Sequence, residues 1–179
     1  MQHSEPKVLF YEDEFVPLVE ALLAAWPGMR VINLDTEYED FLTTGTAERA
    51  DIFTYNEDAI AELFYTSGST GTPKGVMLAH RTIYMHAMTV AGTFNRSDNA
   101  VELHTIPLFH ANGWGRPQTA TIMGLKQVMV RRFDPAFVCR MIHEERATSM
   151  SVVPTMASAM LNFEKLAEYD LSSLETILI

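Results

Sequence analysis

The chain has 179 residues, 47% hydrophobic and 20% charged, a balance that suits a globular domain with a sizeable core and excludes disordered, collagen-like and coiled-coil chains. Its formal net charge of -10 argues against wholesale binding to nucleic acid or anionic membrane, both of which need a basic surface. Residues 1–63 hold 14 Asp/Glu against 3 Lys/Arg and residues 64–179 hold 9 against 10, so the second stretch is the better host for an anion, although a solvated acidic face explains the asymmetry more simply.

In chain order, Lys7 to Tyr11 reads as a strand, and Phe15, Val19, Leu22, Leu23 and Trp26 recur at helical spacing until Pro27-Gly28. Arg30 to Leu34 reads as the next strand, giving a β-α-β opening that favours a parallel sheet. Residues 35–58 carry eight acids and little apolar periodicity, which predicts a surface connection with one short helix around Tyr38 to Leu42. Further strands are predicted at Leu63–Thr66, Gly75–Ala79, Val101–Ile106, Lys126–Val130 and Ser149–Val153. Helices are predicted at Arg81–Phe94, at Pro135–Arg146 with Phe137, Val138, Met141 and Ile142 in one stripe, and from Pro154 to about Ala167. Leu174 to Ile179 reads as a strand entering a core. The pattern is that of an α/β fold with alternating strands and helices, in one compact unit without repeats or long linkers.

Cys139 is the single cysteine, which leaves no intrachain disulfide and fits a reducing cytoplasm. There is no signal-peptide pattern, and no stretch approaches the roughly 18 apolar residues of a membrane span. Cys139 and His143 stand at i, i+4, yet zinc needs three or four ligands, and Arg131-Arg132 reads as a solvated pair.

One segment carries chemistry. Between two strand-like runs, Phe64 to Gly75 holds five Ser/Thr hydroxyls, three glycines and Lys74. Glycines let backbone N–H groups turn toward a bulky anion, hydroxyls add donors and lysine adds a mobile cation, so the loop is suited to cradling polyphosphate. It is not a Walker A loop: counted from Gly68, Pro73 stands where the second glycine belongs, and Gly75 follows Lys74 where Ser/Thr belongs. A flexible Gly/Ser linker is a weak alternative, because linkers rarely set Pro-Lys-Gly directly before an apolar strand.

Tyr65-Thr66-Ser67-Gly68-Ser69-Thr70-Gly71-Thr72-Pro73-Lys74-Gly75 resembles the signature of the AMP-forming adenylating enzymes, which include acyl-CoA synthetases, peptide-synthetase adenylation domains and luciferases. Gly75 to Arg81 and Ile106-Pro107-Leu108-Phe109-His110-Ala111-Asn112-Gly113-Trp114 resemble the family's following motifs, and Val152-Val153-Pro154-Thr155 and the final strand fit in order, so the resemblance spans about the whole chain. It implies part of the family's N-terminal AMP-binding domain over 1–179, ATP and coenzyme A as substrates, and Mg²⁺. By that resemblance Thr66, Ser67, Gly68, Ser69, Thr70, Gly71, Thr72 and Lys74 would hold the ATP phosphates, and Thr66 would help hold Mg²⁺. His110, Gly113, Trp114, Val153, Pro154 and Thr155 would border the acyl pocket. If Asn112 begins a helix, His110 and Trp114 face one cavity. The eleven methionines suit either an adaptable acyl tunnel or an ordinary core.

The wording Phe-His-Ala-Asn-Gly-Trp is most similar to medium- or long-chain fatty-acyl-CoA ligases, and the resemblance allows a homodimer of the whole protein. Activation of an aryl or amino acid, or a stand-alone nucleotide-binding module, are the alternatives. The family's later motifs, its ribose-binding Asp, the Glu that completes the Mg²⁺ site and the C-terminal domain with its catalytic Lys are not found. The chain is therefore expected to be a piece of a longer ligase, incomplete at both ends, with no complete catalytic set and no activity alone.

Overall fold

A computed structural model describes residues 4–46, 48, 56–67, 71–93 and 99–179. The contacts divide the chain into two compact units, Met1–Tyr55 with Pro73–Gly75, and Asn56–Thr72 with Val76–Ile179, a division with no marker in the sequence, which reads as one unit.

In the first unit, β1 (Val8–Tyr11) and β2 (Arg30–Asn33) pair in parallel with Val8 opposite Arg30 and Tyr11 opposite Asn33. A parallel pair needs a crossover, which α1 (Val16–Ala25) supplies after a 3-10 turn at Asp13–Phe15. Pro17 sits in the first turn of α1, where its missing N–H costs nothing. Val19 and Ile32 are buried between helix and strand. The expected short helix is α2 (Tyr38–Thr43). Its Phe41 meets Phe10 edge-on at 5.6 Å and carries the Arg30 guanidinium 5.0 Å above its ring.

The second unit holds β3 (Ile60–Thr66), β4 (Lys74–Ala79), α3 (His80–Thr93), β5 (Val101–His104), α4 (Arg116–Ile122), β6 (Lys126–Met129), α5 (Pro135–Glu145), β7 (Ser149–Ser151), α6 (Pro154–Leu161) and β8 (Thr176–Leu178), β4 beginning with two residues that group with the first unit. β3 and β4 form a two-stranded sheet. Beyond it, the His80 N–H donates to the Ala59 carbonyl at 3.1 Å and the Arg81 N–H to Glu57 at 2.9 Å, so the strands run antiparallel on either side of the loop 67–73. The remaining strands form a parallel sheet in the order β6-β5-β7-β8.

β5 is central and every residue of it is buried. Val101 and Leu103 enter a core with Val138, Cys139, Ile142, Met150, Val152 and Met160, while Glu102 and His104 alternate onto the other face. α5 starts where the Asp134 carboxylate accepts the Phe137 N–H at 2.8 Å, Pro135 opens its first turn, and Arg146 at φ +54° ends it.

Several element bounds differ from those predicted, and one helix, α4, is not predicted at all. α6 stops at Leu161 because Asn162 turns its side-chain amide back onto the Ser158 carbonyl at 2.8 Å; the chain then makes a separate 3-10 turn at Leu166–Glu168. α4 has no amphipathic stripe, and Thr119 and Thr121 weaken its propensity; packing against α3 holds it. Strand β5 ends at His104, because Thr105 turns its hydroxyl onto the Ser151 carbonyl. Phe94, the expected end of α3, lies outside the described residues. No helix among the described residues is long and apolar enough to cross a membrane.

Candidate functional site

The hydroxyl- and glycine-rich loop leaves β3 at Thr66 and re-enters a strand at Lys74. Gly68, Ser69 and Thr70 lie outside the described residues. Thr66, Ser67, Gly71, Thr72 and Lys74 are all exposed. Gly71 has φ +81°, a left-handed backbone that a side chain would strain.

The second motif follows β5. Residues 108–115 form successive turns and the helix starts only at Arg116, so Asn112 does not begin a helix and the expected common facing of His110 and Trp114 is not realised. The His110 N–H donates to the Pro107 carbonyl at 3.0 Å, and the His110 carbonyl accepts from Gly113 at 2.9 Å and Trp114 at 2.8 Å. This folding presses Gly113 onto the backbone: a Cβ there would lie 2.4 Å from the Pro107 oxygen and 2.8 Å from that of Ile106.

The outer side of these turns forms one wall of a 410 Å³ cleft lined by Ile106, Pro107, His110, Ala111, Asn112, Val153 and Met156. Of the predicted acyl-pocket residues, the structure brings together His110 and Val153. Pro154 and Thr155 open α6 as exposed residues outside the cleft lining, and Gly113 is buried behind the wall. Ile106, Pro107, Ala111 and Asn112 belong to the motif without having been assigned to the pocket by sequence, and Met156 is one of the methionines that sequence offered to either an acyl tunnel or the core.

Trp114 lies on the inner side. Its indole N–H donates to Glu62 Oε2 of β3 at 2.6 Å, its ring tilts against His86 of α3 at 4.8 Å, and Phe64 meets it edge-on at 6.3 Å. Gln118 Nε2 reaches Glu62 Oε1 at 3.5 Å. Gly115, at φ +84°, lets the backbone pass the His86 ring, whose Cε1 would be 2.3 Å from a Cβ. His86 Nδ1 and Gln118 Oε1 are buried without a hydrogen-bond partner among the described residues. The role of His86 as a platform for Trp114 follows from the packing of α3 against α4.

In β5, which leads into the second motif, Glu102 is 1% exposed. Its Oε1 accepts from Arg116 Nε at 2.6 Å and also from Nη2, and its Oε2 accepts from the Ser149 hydroxyl. Sequence reading missed this group; the available signal was a charged residue inside a run otherwise read as strand.

Among the described residues no group of three His, Cys, Asp or Glu side chains could hold a metal. Cys139 is fully buried in the core, and His143 Nδ1 accepts the Asp170 N–H at 2.9 Å, so the i, i+4 pair is structural. Thr66, the expected Mg²⁺ contact, is exposed at the end of β3; its hydroxyl is a hard oxygen donor of the kind Mg²⁺ takes, but such sites usually add one or two carboxylates to the substrate phosphates.

Against known proteins, the family described as AMP-binding enzyme matches residues 1–179. The chain is 33% identical over 187 residues to a long-chain-fatty-acid–CoA ligase of Thermus thermophilus, covering 100% of this chain and 34% of that protein. It is 30% identical over 180 residues to a medium-chain-fatty-acid–CoA ligase of Ectopseudomonas oleovorans, covering 90% and 32%. Among solved structures, the inhibitor-bound N-terminal domain of FACL13 from Mycobacterium tuberculosis superposes with a TM-score of 0.85 at 26% identity, over 96% of this chain and 44% of that one. The chain thus spans about a third of the length of the curated relatives it matches.

Proposed function

Because the chain belongs to the family of AMP-binding enzymes, matched over residues 1–179, we propose that it supplies the phosphate loop and one acid-binding wall of an AMP-forming acyl-CoA ligase. In the reaction a carboxylate oxygen attacks the α-phosphorus of ATP and the bond to the departing pyrophosphate breaks, leaving an acyl-adenylate. The thiol of coenzyme A then attacks the acyl carbon, a proton leaves the sulfur, and AMP departs. No protein group need form a covalent bond, so the chain's work is positioning and neutralising phosphate charge.

The loop 66–75 carries this reading. Its hydroxyls and backbone N–H groups are donors for the phosphate oxygens, and Lys74 adds a charge-assisted contact. Thr66 is the proposed Mg²⁺ contact, the ion supplying charge neutralisation when bound. For the acid, the cleft between the 106–115 turns and α6 is the proposed pocket, with Ile106, Pro107, Ala111, Val153 and Met156 giving it an apolar lining and His110 its polar edge. That lining and the names of the two ligase relatives favour a medium- or long-chain fatty acid over an aryl or amino acid. Trp114, held by Glu62 and His86, lies outside that lining and is proposed to back the turns that carry His110 rather than to touch the acid.

The test is acid-dependent exchange of labelled pyrophosphate into ATP by the whole protein, across acetate, decanoate, palmitate, benzoate and amino acids. Exchange highest with decanoate or palmitate is expected. Exchange only with benzoate or an amino acid would refute the fatty-acid assignment, and exchange with none would refute the ligase reading.

A further inference from the structure

We propose that Glu102 is a positioning residue for the acid cleft, fixing the wall that carries His110 relative to the wall that carries Val153. This rests on the ligase reading for its substrate, but its geometry stands by itself. The two walls are held differently. Val153 and Met156 follow β7, which the parallel ladder joins to β5 with Glu102 opposite Ser149 and Leu103 opposite Met150. The other wall leaves the sheet after His104 and does not meet regular structure again until Arg116. Within it, the backbone bonds from His110 to Pro107 and from Gly113 and Trp114 to His110 shape the turns. They do not anchor the turns to the sheet.

Glu102 closes that gap. One carboxylate oxygen takes two N–H groups of Arg116, the first residue after the turns, and the other takes the hydroxyl of Ser149, the first residue of β7. The Thr105 hydroxyl adds a second tie to Ser151 on the same strand. Glu102 is 1% exposed and the Arg116 side chain 11%. Buried charges of this kind persist only when paired and fully hydrogen-bonded. The pairing therefore dictates one position for Arg116, and through Gly115 and Trp114 one position for the turns that present His110. A neutral, shorter or displaced partner for Arg116 changes the cleft width without touching the acid.

The experiment uses the whole protein with Glu102→Gln, Arg116→Lys and the double variant Glu102→Gln/Arg116→Met, in which neither charge is left buried alone. In pyrophosphate exchange the double variant is expected to raise KM for the acid about 10- to 100-fold, the loss that sub-ångström to ångström misplacement brings, and to alter the decanoate-to-palmitate ratio. KM for ATP should stay unchanged, and Arg116→Lys, which keeps the charge, should retain part of the acid affinity that the double variant loses. Amide hydrogen exchange at Gly113 and Trp114 should quicken in the same variant while β5 and β7 stay protected. A folded double variant with wild-type acid KM, chain-length ratio and amide protection overturns the proposal. If the wild type shows no exchange with any acid, the ligase reading falls, and the amide protection alone decides the role of Glu102.

Discussion

Gly113→Ala is the sharpest test of how the cleft wall is built. The added methyl would sit 2.4 Å from the Pro107 oxygen, 2.8 Å from the Ile106 oxygen and 3.0 Å from the Pro107 carbonyl carbon. Ordinary contact begins near 3.4 Å, so the obstacle must retreat by about 1 Å, and it is backbone rather than the free end of a side chain. Forcing an extra carbon into such a site costs about 1–3 kcal/mol. For a chain of this size each kcal/mol lowers the melting temperature by about 2–4 °C, a fall of about 2–12 °C. Two other glycines calibrate the result. Gly92, in α3 with nothing within 4 Å of its Cβ position, should tolerate Ala and gain about 0.5–1 kcal/mol from reduced chain entropy. Gly115→Ala should lose about 1–2 kcal/mol from its positive φ, with a further part, due to the His86 ring, recovered when His86→Ala is added. Thermal unfolding followed by circular dichroism decides the matter. Gly113→Ala melting with the wild type, while Gly115→Ala does not, would show that the turns do not press on Ile106 and Pro107 as described.

Two further outcomes follow from groups away from the cleft. The hydroxyl and N–H of Ser172, with the Arg146 guanidinium at 2.6 Å, hold the Asp170 carboxyl well below the usual carboxylate range. A depressed folded-state value contributes stability above the unfolded carboxylate pKa, near 3.9, and loses it as pH falls below that value toward the folded-state one. Asp170→Asn should therefore melt below the wild type at pH 7, the gap narrowing as urea or thermal unfolding is repeated toward pH 2; a constant gap would contradict this. Burial, followed by the charge of Asp134, pushes the Cys139 thiol up, and the side chain is fully buried. A thiol reagent at pH 8 should leave it unmodified until denaturant is added, since the thiolate is the reacting form; prompt modification of the folded chain would contradict the core placement.

Much of this architecture is legible before any coordinates. The β-α-β opening, the strands at 101–104, 126–129 and 149–151, and α5 with Pro135 in its first turn all announce themselves through periodicity and helix-start chemistry, which act locally. The loop proposed to bind phosphate is legible because that chemistry asks for particular residue types in one contiguous run. What stayed hidden depends on contacts between distant segments. α4 is short, carries two threonines and lacks an apolar stripe, so its packing against α3 is what makes it a helix. His110 and Trp114 are four residues apart, yet the turns send one to the cleft and the other to Glu62 and His86, 52 and 28 positions away in sequence. Glu102 reads as one polar residue in a strand, and nothing local reveals that Arg116 and Ser149 converge on it.

The central claim is that the loop 66–75 binds the phosphates of ATP during acid activation. Acid-dependent pyrophosphate exchange by the whole protein with Lys74→Ala tests it most directly. Loss of one charge-assisted contact of about 1.5–3 kcal/mol predicts exchange lowered about 10- to 150-fold, with KM for ATP rising and the preference among acids unchanged. Exchange at the wild-type rate with wild-type KM for ATP would contradict the phosphate role of the loop.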